Sequence, residues 1–476
     1  MAENKGPSGV NPDPHDLLID EVQGHQRRYM KLLEFTHSST RAAGAMLLAA
    51  IAALVVANTG LHEGFLEFWH TDVVVGVGDH VGVMSLAHII NDVLMALFFL
   101  LVGLEIKYEM TVGELTNIRD CALPIIAAVG GVLAPIGIYL AFNASNPDTA
   151  HGWGVPTATD IAFALGILAL LGRKVPNGVR VFLSTLAVAD DIIAILVIAV
   201  FYGSAPDLGW LAGAAAVLVV LVVLNRTHVY SLYPYILVGA VLWFCVFMSG
   251  VHSTIAGVLL AFTIPIGSRV RLSSFLDWSR ERVDDARSYY EDDKPVVVQG
   301  KYMQTVRALS RVSRQVMPPA VRLEQRLYPW VYFAVLPLFA LTNADVAFLG
   351  GDMGALFTGP VFLGVLCGLL VGKPLGILLF SFLTVKLGIA KLPEAVTWKH
   401  MLGASILGGV GFTMAIFVAN LAFADAVLVA EAKMAILCAS LVAGVAGFVV
   451  LLRQAAKDPV EHPIPEDETA RNAEGL

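Results

Sequence analysis

The stretch RVFLSTLAVADDIIAILVIAV, residues 180–200, decides the fold because it places two adjacent aspartates in an otherwise apolar segment. The segment is long enough to cross a bilayer as a helix. A charge at mid-bilayer costs at least about 2.5–3.5 kcal/mol, so an ionisable residue there marks function. Adjacent helical residues point about 100° apart, so we expect one carboxylate of Asp190 and Asp191 to face a cavity and the other a neighbouring helix. The alternative, a purely structural carboxylate pair, needs strong compensation.

The composition of the whole chain is typical of a membrane protein. Of 476 residues, 57% are hydrophobic and 15% are charged, whereas soluble domains carry about 25% charged residues. The sequence has no basic patch with interleaved aromatic residues, and we expect no nucleic-acid partner. The four cysteines lie far apart in apolar surroundings, so we expect neither disulfides nor a cysteine metal site.

Apolar segments of roughly 20 residues predict twelve membrane-spanning helices, at about 41–58, 84–106, 120–143, 156–171, 177–202, 208–224, 231–247, 249–266, 328–346, 356–385, 400–423 and 431–452. Lys and Arg residues test this prediction because positive charge marks cytoplasmic loops. All but two of the 31 basic residues fall near the termini or in alternate loops, and the other two, Lys373 and Lys433, lie within spans. Both termini are therefore predicted to be cytoplasmic.

The polar segments define the domain organisation. We predict a cytoplasmic N-terminal arm over 1–40, a twelve-helix membrane domain over 41–453, and a disordered cytoplasmic tail over 454–476. A long hydrophilic insert, 268–322, divides the eighth span from the ninth. We interpret it as a solvated cytoplasmic segment that is helical around 301–314; a regulatory role is the alternative.

Two spans carry signals of a helix that is interrupted inside the membrane. The fourth is short and begins Thr-Ala-Thr-Asp, which is typical of a helix N-cap. A cap at that depth is tolerated where backbone lines a cavity, so Thr159 and Asp160 can cap a half-helix and also coordinate a cation. The eleventh span has glycines at 403, 408, 409 and 411, for which close helix packing is the alternative explanation. Interruptions at matching positions of two halves indicate a transporter binding site.

A lysine lies near the middle of the tenth span. Lys373 is too central to reach the interface easily, and Pro374, which follows it, should bend the helix. A buried lysine needs a carboxylate partner or a changed pKa. We therefore expect Lys373 to belong to the same charge network as the aspartates.

Eight motifs make the sequence similar to the NhaA family of Na+/H+ antiporters, and the resemblance covers about residues 38–452. They are INDVLMALFFLLVGLEIKYE (90–109), PTATDIAFALGILALLG (156–172), LAVADDIIAI (186–195), SGVHSTIAGV (249–258), RLEQRLYPWV (322–331), LPLFALTNA (336–344), GKPLGI (372–377) and GGVGFTMAIF (408–417). The resemblance implies an all-α membrane protein with twelve helices, inverted-topology repeats and two broken, crossing helices. It also implies electrogenic exchange of Na+ or Li+ for H+ at the bacterial inner membrane, activated at alkaline pH, without a cofactor.

The same resemblance assigns roles to the ion site. By motif, Asp191 corresponds to the main cation ligand and proton carrier. Asp190 corresponds to its neighbour, which can pair with Lys373. Thr159 and Asp160 correspond to the contribution of the broken helix.

Further residues match positions away from the ion site. Asp92 matches an acid of the outer funnel. The residues that match the pH response are three acids of the cytoplasmic face and one histidine: Glu105, Glu109, Glu324 and His252. Tyr108 stands where the family usually has arginine, and the insert is longer than usual, so the tuning of the pH response is expected to differ.

The segment HTDVVVGVGDHVGVM, residues 70–84, alternates and carries glycines and aspartates, which predicts an extracellular hairpin. The resemblance implies that this hairpin contacts a second copy in a homodimer. A plain loop is the alternative.

Two other functions compete with antiport. A sodium–solute symporter would need extra polar groups near the midplane, which the spans do not show. An intramembrane aspartyl protease needs two acids on different helices that share a proton. Asp160 and Asp191 qualify, but Asp190, Lys373 and the second interrupted span have no role in that chemistry. The sequence has no GxxxxGK[ST] nucleotide motif, so we expect a secondary transporter driven by ion gradients rather than an enzyme.

Overall fold

The computed structural model describes residues 36, 38–77, 80–116, 118–203, 206–268, 270–346 and 357–457. The predicted N-terminal arm, 1–40, and tail, 454–476, lie almost entirely outside these residues. The described chain is mainly helical, with a two-stranded antiparallel sheet near its start.

The helices are numbered in chain order: α1 (Ser39–Ala57), α2 (His62–Trp69), α3 (Met95–Thr111), α4 (Ile118–Asn143), α5 (Ile161–Leu170), α6 (Asn177–Phe201), α7 (Leu208–Arg226), α8 (Leu232–Met248), α9 (Thr254–Thr263), α10 (Leu272–Tyr289), α11 (Gly300–Val316), α12 (Pro319–Trp330), α13 (Leu336–Asn343), α14 (Pro360–Cys367), α15 (Lys373–Lys386), α16 (Trp398–Gly408), α17 (Phe412–Ala422) and α18 (Ala426–Lys457). Short helical turns lie at Leu86–His88, Glu114–Thr116, Pro147–Ala150, His151–Thr157, Gly172–Lys174 and Val296–Val298, and π-helical turns at Ile89–Leu94, Val331–Val335 and Gly368–Gly372. The strands are β1 (Asp72–Val77) and β2 (His80–Ser85).

Within the described residues, eight helical stretches are long and apolar enough to cross a membrane: Ser39–Ala57, Leu86–Thr111, Cys121–Asn143, Pro147–Leu170, Asn177–Phe201, Leu208–Arg226, Pro360–Lys386 and Ala426–Ala456. The bent pair α16 and α17 makes a ninth if it is one span. In α7 only Ala214 and Leu221 are buried. An apolar helix with so little cover is suited to contact with lipid.

Three segments that were predicted as spans form shorter or interrupted helices. After α8 the chain turns at Gly250, which has φ +79°, so the span predicted at 249–266 contains a helix only from Thr254. The span at 328–346 is interrupted by the π-helical turn Val331–Val335, after which α13 begins at Leu336. The span at 231–247 is α8, which has 17 residues. The total of twelve spans therefore stays a prediction.

The two predicted helix interruptions are present and contact each other. Residues 158–160 are not helical, and Asp160 caps α5 by accepting a hydrogen bond from the Phe163 backbone N–H at 3.0 Å. The second interruption separates α16 from α17, whose axes differ by 44°. The Asp160 backbone N–H donates to the Val410 carbonyl at 2.8 Å. Each interruption thus supplies hydrogen-bond partners to the other, which is how irregular backbone persists inside an apolar protein.

Close packing of α4 against α15 fixes the position of Lys373. A Cβ atom on Gly376 would lie 2.0 Å from the carbonyl oxygen of Gly130, so the two helix backbones touch there. Small residues permit this approach. Lys373 is the first residue of α15 and is 0% exposed.

The predicted hairpin at 70–84 is confirmed as a β-hairpin. Asp72 pairs with Ser85 and Val77 with His80 in antiparallel register. The insert holds two helices, α10 and α11, and α11 covers the residues predicted to be helical, 301–314.

Candidate functional site

The first part of the site is a buried ion pair. The Lys373 ammonium lies 2.7 Å from Asp190 Oδ2, and it also donates to the Thr157 carbonyl, just before the first interruption. The Thr159 hydroxyl donates to the same Asp190 oxygen at 2.6 Å and lies 3.0 Å from the Gly408 carbonyl, which precedes the second interruption. The pair is therefore tied to both interruptions.

The second part of the site is the carboxylate of Asp160. Besides capping α5, it accepts hydrogen bonds from the Thr413 backbone N–H at 3.1 Å and from the Thr413 hydroxyl at 2.5 Å. Thr413 lies at the start of α17, so one carboxylate satisfies the free N–H groups of two helix N-termini, where negative charge is favourable. Sequence reasoning missed Thr413; its signal was a hydroxyl two residues after the last glycine of the second interruption.

The third part of the site is a small cavity beside Asp191. Asp191 is 3% exposed and lines a cavity of about 10 Å³ together with Thr159 and Asp160. Further lining side chains include Glu105, Tyr332 and Thr413. That volume admits about one water-sized sphere. Asp190 faces Lys373 while Asp191 faces the cavity, which is the division predicted from the 100° spacing of adjacent helical residues.

The three predicted pH-response acids lie in different surroundings. Glu105 lines the Asp191 cavity. Glu109 lies one turn further along α3 and is partly exposed. Burial, and secondarily the nearby Glu109 carboxylate, raise the pKa of Glu324, which lies on α12.

Asp92 and His252 lie outside the ion cavity. The Ser253 hydroxyl donates to Asp92 at 3.1 Å, so the π-helical turn Ile89–Leu94 is joined to the residues next to His252. The His252 ring lies edge-on to Phe417, with 6.4 Å between ring centroids. Phe417 belongs to α17, so this group contacts the same helix as the ion site without sharing its cavity.

Comparison with known proteins identifies the family of the chain that carries this site. The family model described as Na+/H+ antiporter 1 matches residues 33–451. The chain belongs to this family. Among its relatives, the Na(+)/H(+) antiporter NhaA of Wolinella succinogenes is 44% identical over 417 residues, which cover 88% of this chain and 92% of the relative.

Other relatives of the antiporter are equally similar. The protein of the same name from Janthinobacterium sp. (strain Marseille) is 44% identical over 94% of this chain and 96% of the relative. That from Helicobacter pylori (strain J99) is 45% identical over 85% and 91%. As a member of this family, the antiporter is a multi-pass membrane protein that exchanges Na+ for H+, and it is a secondary transporter rather than an enzyme.

Proposed function

We propose that the antiporter binds H+ and a cation, Na+ or Li+, alternately at Asp191, and that this competition drives exchange. The observation that carries the proposal is a buried carboxylate in a cavity with room for one ion. Asp160 and Thr159 line the same cavity. Hard cations such as Na+ take oxygen ligands, as the analogous ions Ca²⁺ and Mg²⁺ do. The cation is cargo, and the proposal includes no cofactor.

Lys373 balances the charge of the second aspartate, Asp190. The Lys373 ammonium and the Thr159 hydroxyl satisfy the Asp190 carboxylate. Thr159 lines the cavity and also contacts Asp190, so it connects the ion pair to the cation site. We infer that Asp190 contributes to the cation site: when a cation binds, its carboxylate weakens its contact with Lys373 and contacts the cation.

The transport cycle follows from this competition. In one facing state the carboxylates lose protons and take the cation; in the other they release the cation and are reprotonated. If more protons than cations cross per cycle, transport is electrogenic, and each extra charge gains about 2.3 kcal/mol per 100 mV. Alkaline pH removes the competing proton and so activates exchange. In this proposal Glu105, Glu109, Glu324 and His252 adjust the midpoint of activation.

The architecture we propose around the site has twelve spans with inverted repeats, both termini in the cytoplasm, and Asp92 in the outer funnel. The domain boundaries are those predicted: an arm over 1–40, the membrane domain over 41–453 with its cytoplasmic insert 268–322, and a tail over 454–476. Two copies form a homodimer through the hairpin near 70–84. The membrane is the bacterial inner membrane, which follows from the bacterial relatives.

The size of the cavity favours antiport over the two competing functions. A cavity of about 10 Å³ has no room for an organic solute, as a sodium–solute symporter would need. A protease would use Asp160 and Asp191 as a dyad with a peptide between them, and the same volume excludes a peptide from this state. Neither alternative explains the Asp190–Lys373 pair.

The test uses the purified antiporter in proteoliposomes with a trapped pH-sensitive dye. Adding NaCl should move protons across the membrane in wild type. Asp191→Asn keeps the shape of the side chain but cannot exchange a proton for a cation, so it should abolish both exchange and Na+ binding without preventing insertion. Asp148→Asn changes an exposed aspartate and serves as the matched control. Normal sodium-driven proton movement by a well-folded Asp191→Asn protein would refute the assignment.

A further inference from the structure

Tyr332 is a polar residue of the ion cavity that none of the sequence motifs singled out for function. It lies in the π-helical turn Val331–Val335, between α12 and α13. Its side chain lines the cavity together with Asp160 and Asp191. Single π-helical turns are frequent at functional sites, and this one turns a residue of the α12–α13 segment towards the site.

No hydrogen bond joins the Tyr332 hydroxyl to another group of the described residues, and this oxygen is not among the fully enclosed polar atoms. The residue is 7% exposed and lines the cavity, so a partner for the hydroxyl must be small enough to reach it there. Buried polar side chains are hydrogen-bonded in the large majority of cases, and an exception needs an explanation. A cation in the cavity, bound by the lining carboxylates and by this hydroxyl, would explain the exception.

The neighbouring ring holds Tyr332 in place. The centroids of the Tyr328 and Tyr332 rings are 4.3 Å apart, and Tyr328 is not among the residues that line the cavity. Packing against a second aromatic ring restricts the phenol to one orientation. A pre-positioned neutral oxygen in a site with two carboxylates is suited to binding a hard cation.

We propose that Tyr332 is a ligand of the transported cation. Its phenolic oxygen coordinates Na+ beside the carboxylates of Asp160 and Asp191, while its O–H donates a hydrogen bond to one of them. The proposal rests on the proposed function and extends its ligand set by one neutral group. Because the phenol keeps its proton throughout, Tyr332 should affect cation affinity and leave the number of protons exchanged unchanged.

The test removes one oxygen atom. Tyr332→Phe should raise the Na+ Kd, measured by calorimetry on the purified antiporter at alkaline pH, and the Na+ KM in proteoliposomes by about tenfold, the effect of one lost neutral contact. The maximal rate should change by less than about twofold, and the slope of log Kd against pH should match wild type. Tyr235→Phe is the matched control, because Tyr235 is also buried with an unpaired hydroxyl but does not line the cavity.

The outcomes separate this inference from the proposed function. A raised Kd in Tyr332→Phe, with Tyr235→Phe at the wild-type value, supports the cation ligand. A wild-type Kd in Tyr332→Phe overturns this inference alone, provided that wild type binds Na+ in competition with H+. Equal losses in both variants would assign the effect to general destabilisation and overturn it as well. Absence of Na+ binding by wild type would overturn both proposals.

Discussion

Removing the Lys373 ammonium should destabilise the antiporter far more than removing a surface lysine. Lys373 is 0% exposed, and its ammonium lies 2.7 Å from Asp190. Among the described residues, the hydrogen bond from Thr159 is the one that remains to the Asp190 carboxylate in Lys373→Ala. A carboxylate in that position must either stay charged without a cation or take up a proton.

The expected magnitude follows from this burial. Breaking a buried ion pair by removing one partner costs about 3–5 kcal/mol of unfolding free energy. The exposed pair of Lys294 and Glu291, whose side chains are 55% and 58% exposed, should contribute about 0–1 kcal/mol. Lys294→Ala is therefore the matched control. Replacing both partners, as in Lys373→Met with Asp190→Asn, should recover most of the loss because no uncompensated charge remains.

The assay is thermal or denaturant unfolding in detergent, followed by tryptophan fluorescence, at pH 5 and pH 8. The deficit of Lys373→Ala should exceed that of Lys294→Ala at both pH values. Equal unfolding free energies for Lys373→Ala and Lys294→Ala, at both pH values, would contradict the buried charge network.

Three further predictions address other parts of the molecule. Thr413→Val removes the hydroxyl that donates to Asp160 at 2.5 Å and should cost about 1.5–3 kcal/mol of stability, the range for a hydrogen bond to a charged group; unfolding at the wild-type midpoint would contradict it. Because burial and Glu109 raise the pKa of Glu324 above its ordinary 4.5, the folded state holds that proton longer, and wild type should lose stability as pH rises above 4.5. Glu324→Gln should flatten this part of the profile of melting temperature against pH, and an unchanged profile would count against it. Deleting hairpin residues 73–84 should convert dimers to monomers in light-scattering chromatography while exchange persists, and a dimer that survives would locate the interface elsewhere.

Local sequence signals predicted the parts of the fold that local chemistry determines. The Asp190–Asp191 pair in an apolar segment predicted a buried helix with two differently directed acids. Thr-Ala-Thr-Asp predicted the N-cap at Asp160, because a side chain can cap only the helix that follows it. The glycines around 408–411 predicted the second interruption, because they carry no side chain to fill a continuous helix interface.

Contacts between distant segments could not be predicted in the same way. Thr413 reaches Asp160 across 253 positions, and that contact exists only because the two interruptions meet. The motif matched Glu105 to an acid of the cytoplasmic face, and its position beside the ion cavity could not be predicted because it depends on how α3 packs. Tyr332 gave no signal at all, since an aromatic residue in an apolar span is ordinarily packing.

Hydropathy alone also predicted continuous spans where the structure has shorter or interrupted helices. Apolar runs at 249–266 and 328–346 have the composition of spans, but hydropathy does not register the turn at Gly250 or the π-helical turn at Val331–Val335. Short helices in these places bury their backbone against neighbours. Composition therefore predicts that a segment is buried more reliably than it predicts an unbroken helix.

The measurement that tests the central claim most directly is Na+ titration of the purified antiporter at several pH values, by calorimetry. If Na+ and H+ share the carboxylates of the site, linkage requires that the apparent Na+ Kd fall as pH rises, approaching about tenfold per pH unit for each proton displaced, and that Na+ release protons in the same proportion. An Na+ Kd that is independent of pH, with only the maximal rate changing, would contradict shared-site competition and would assign the pH response to groups outside the cavity.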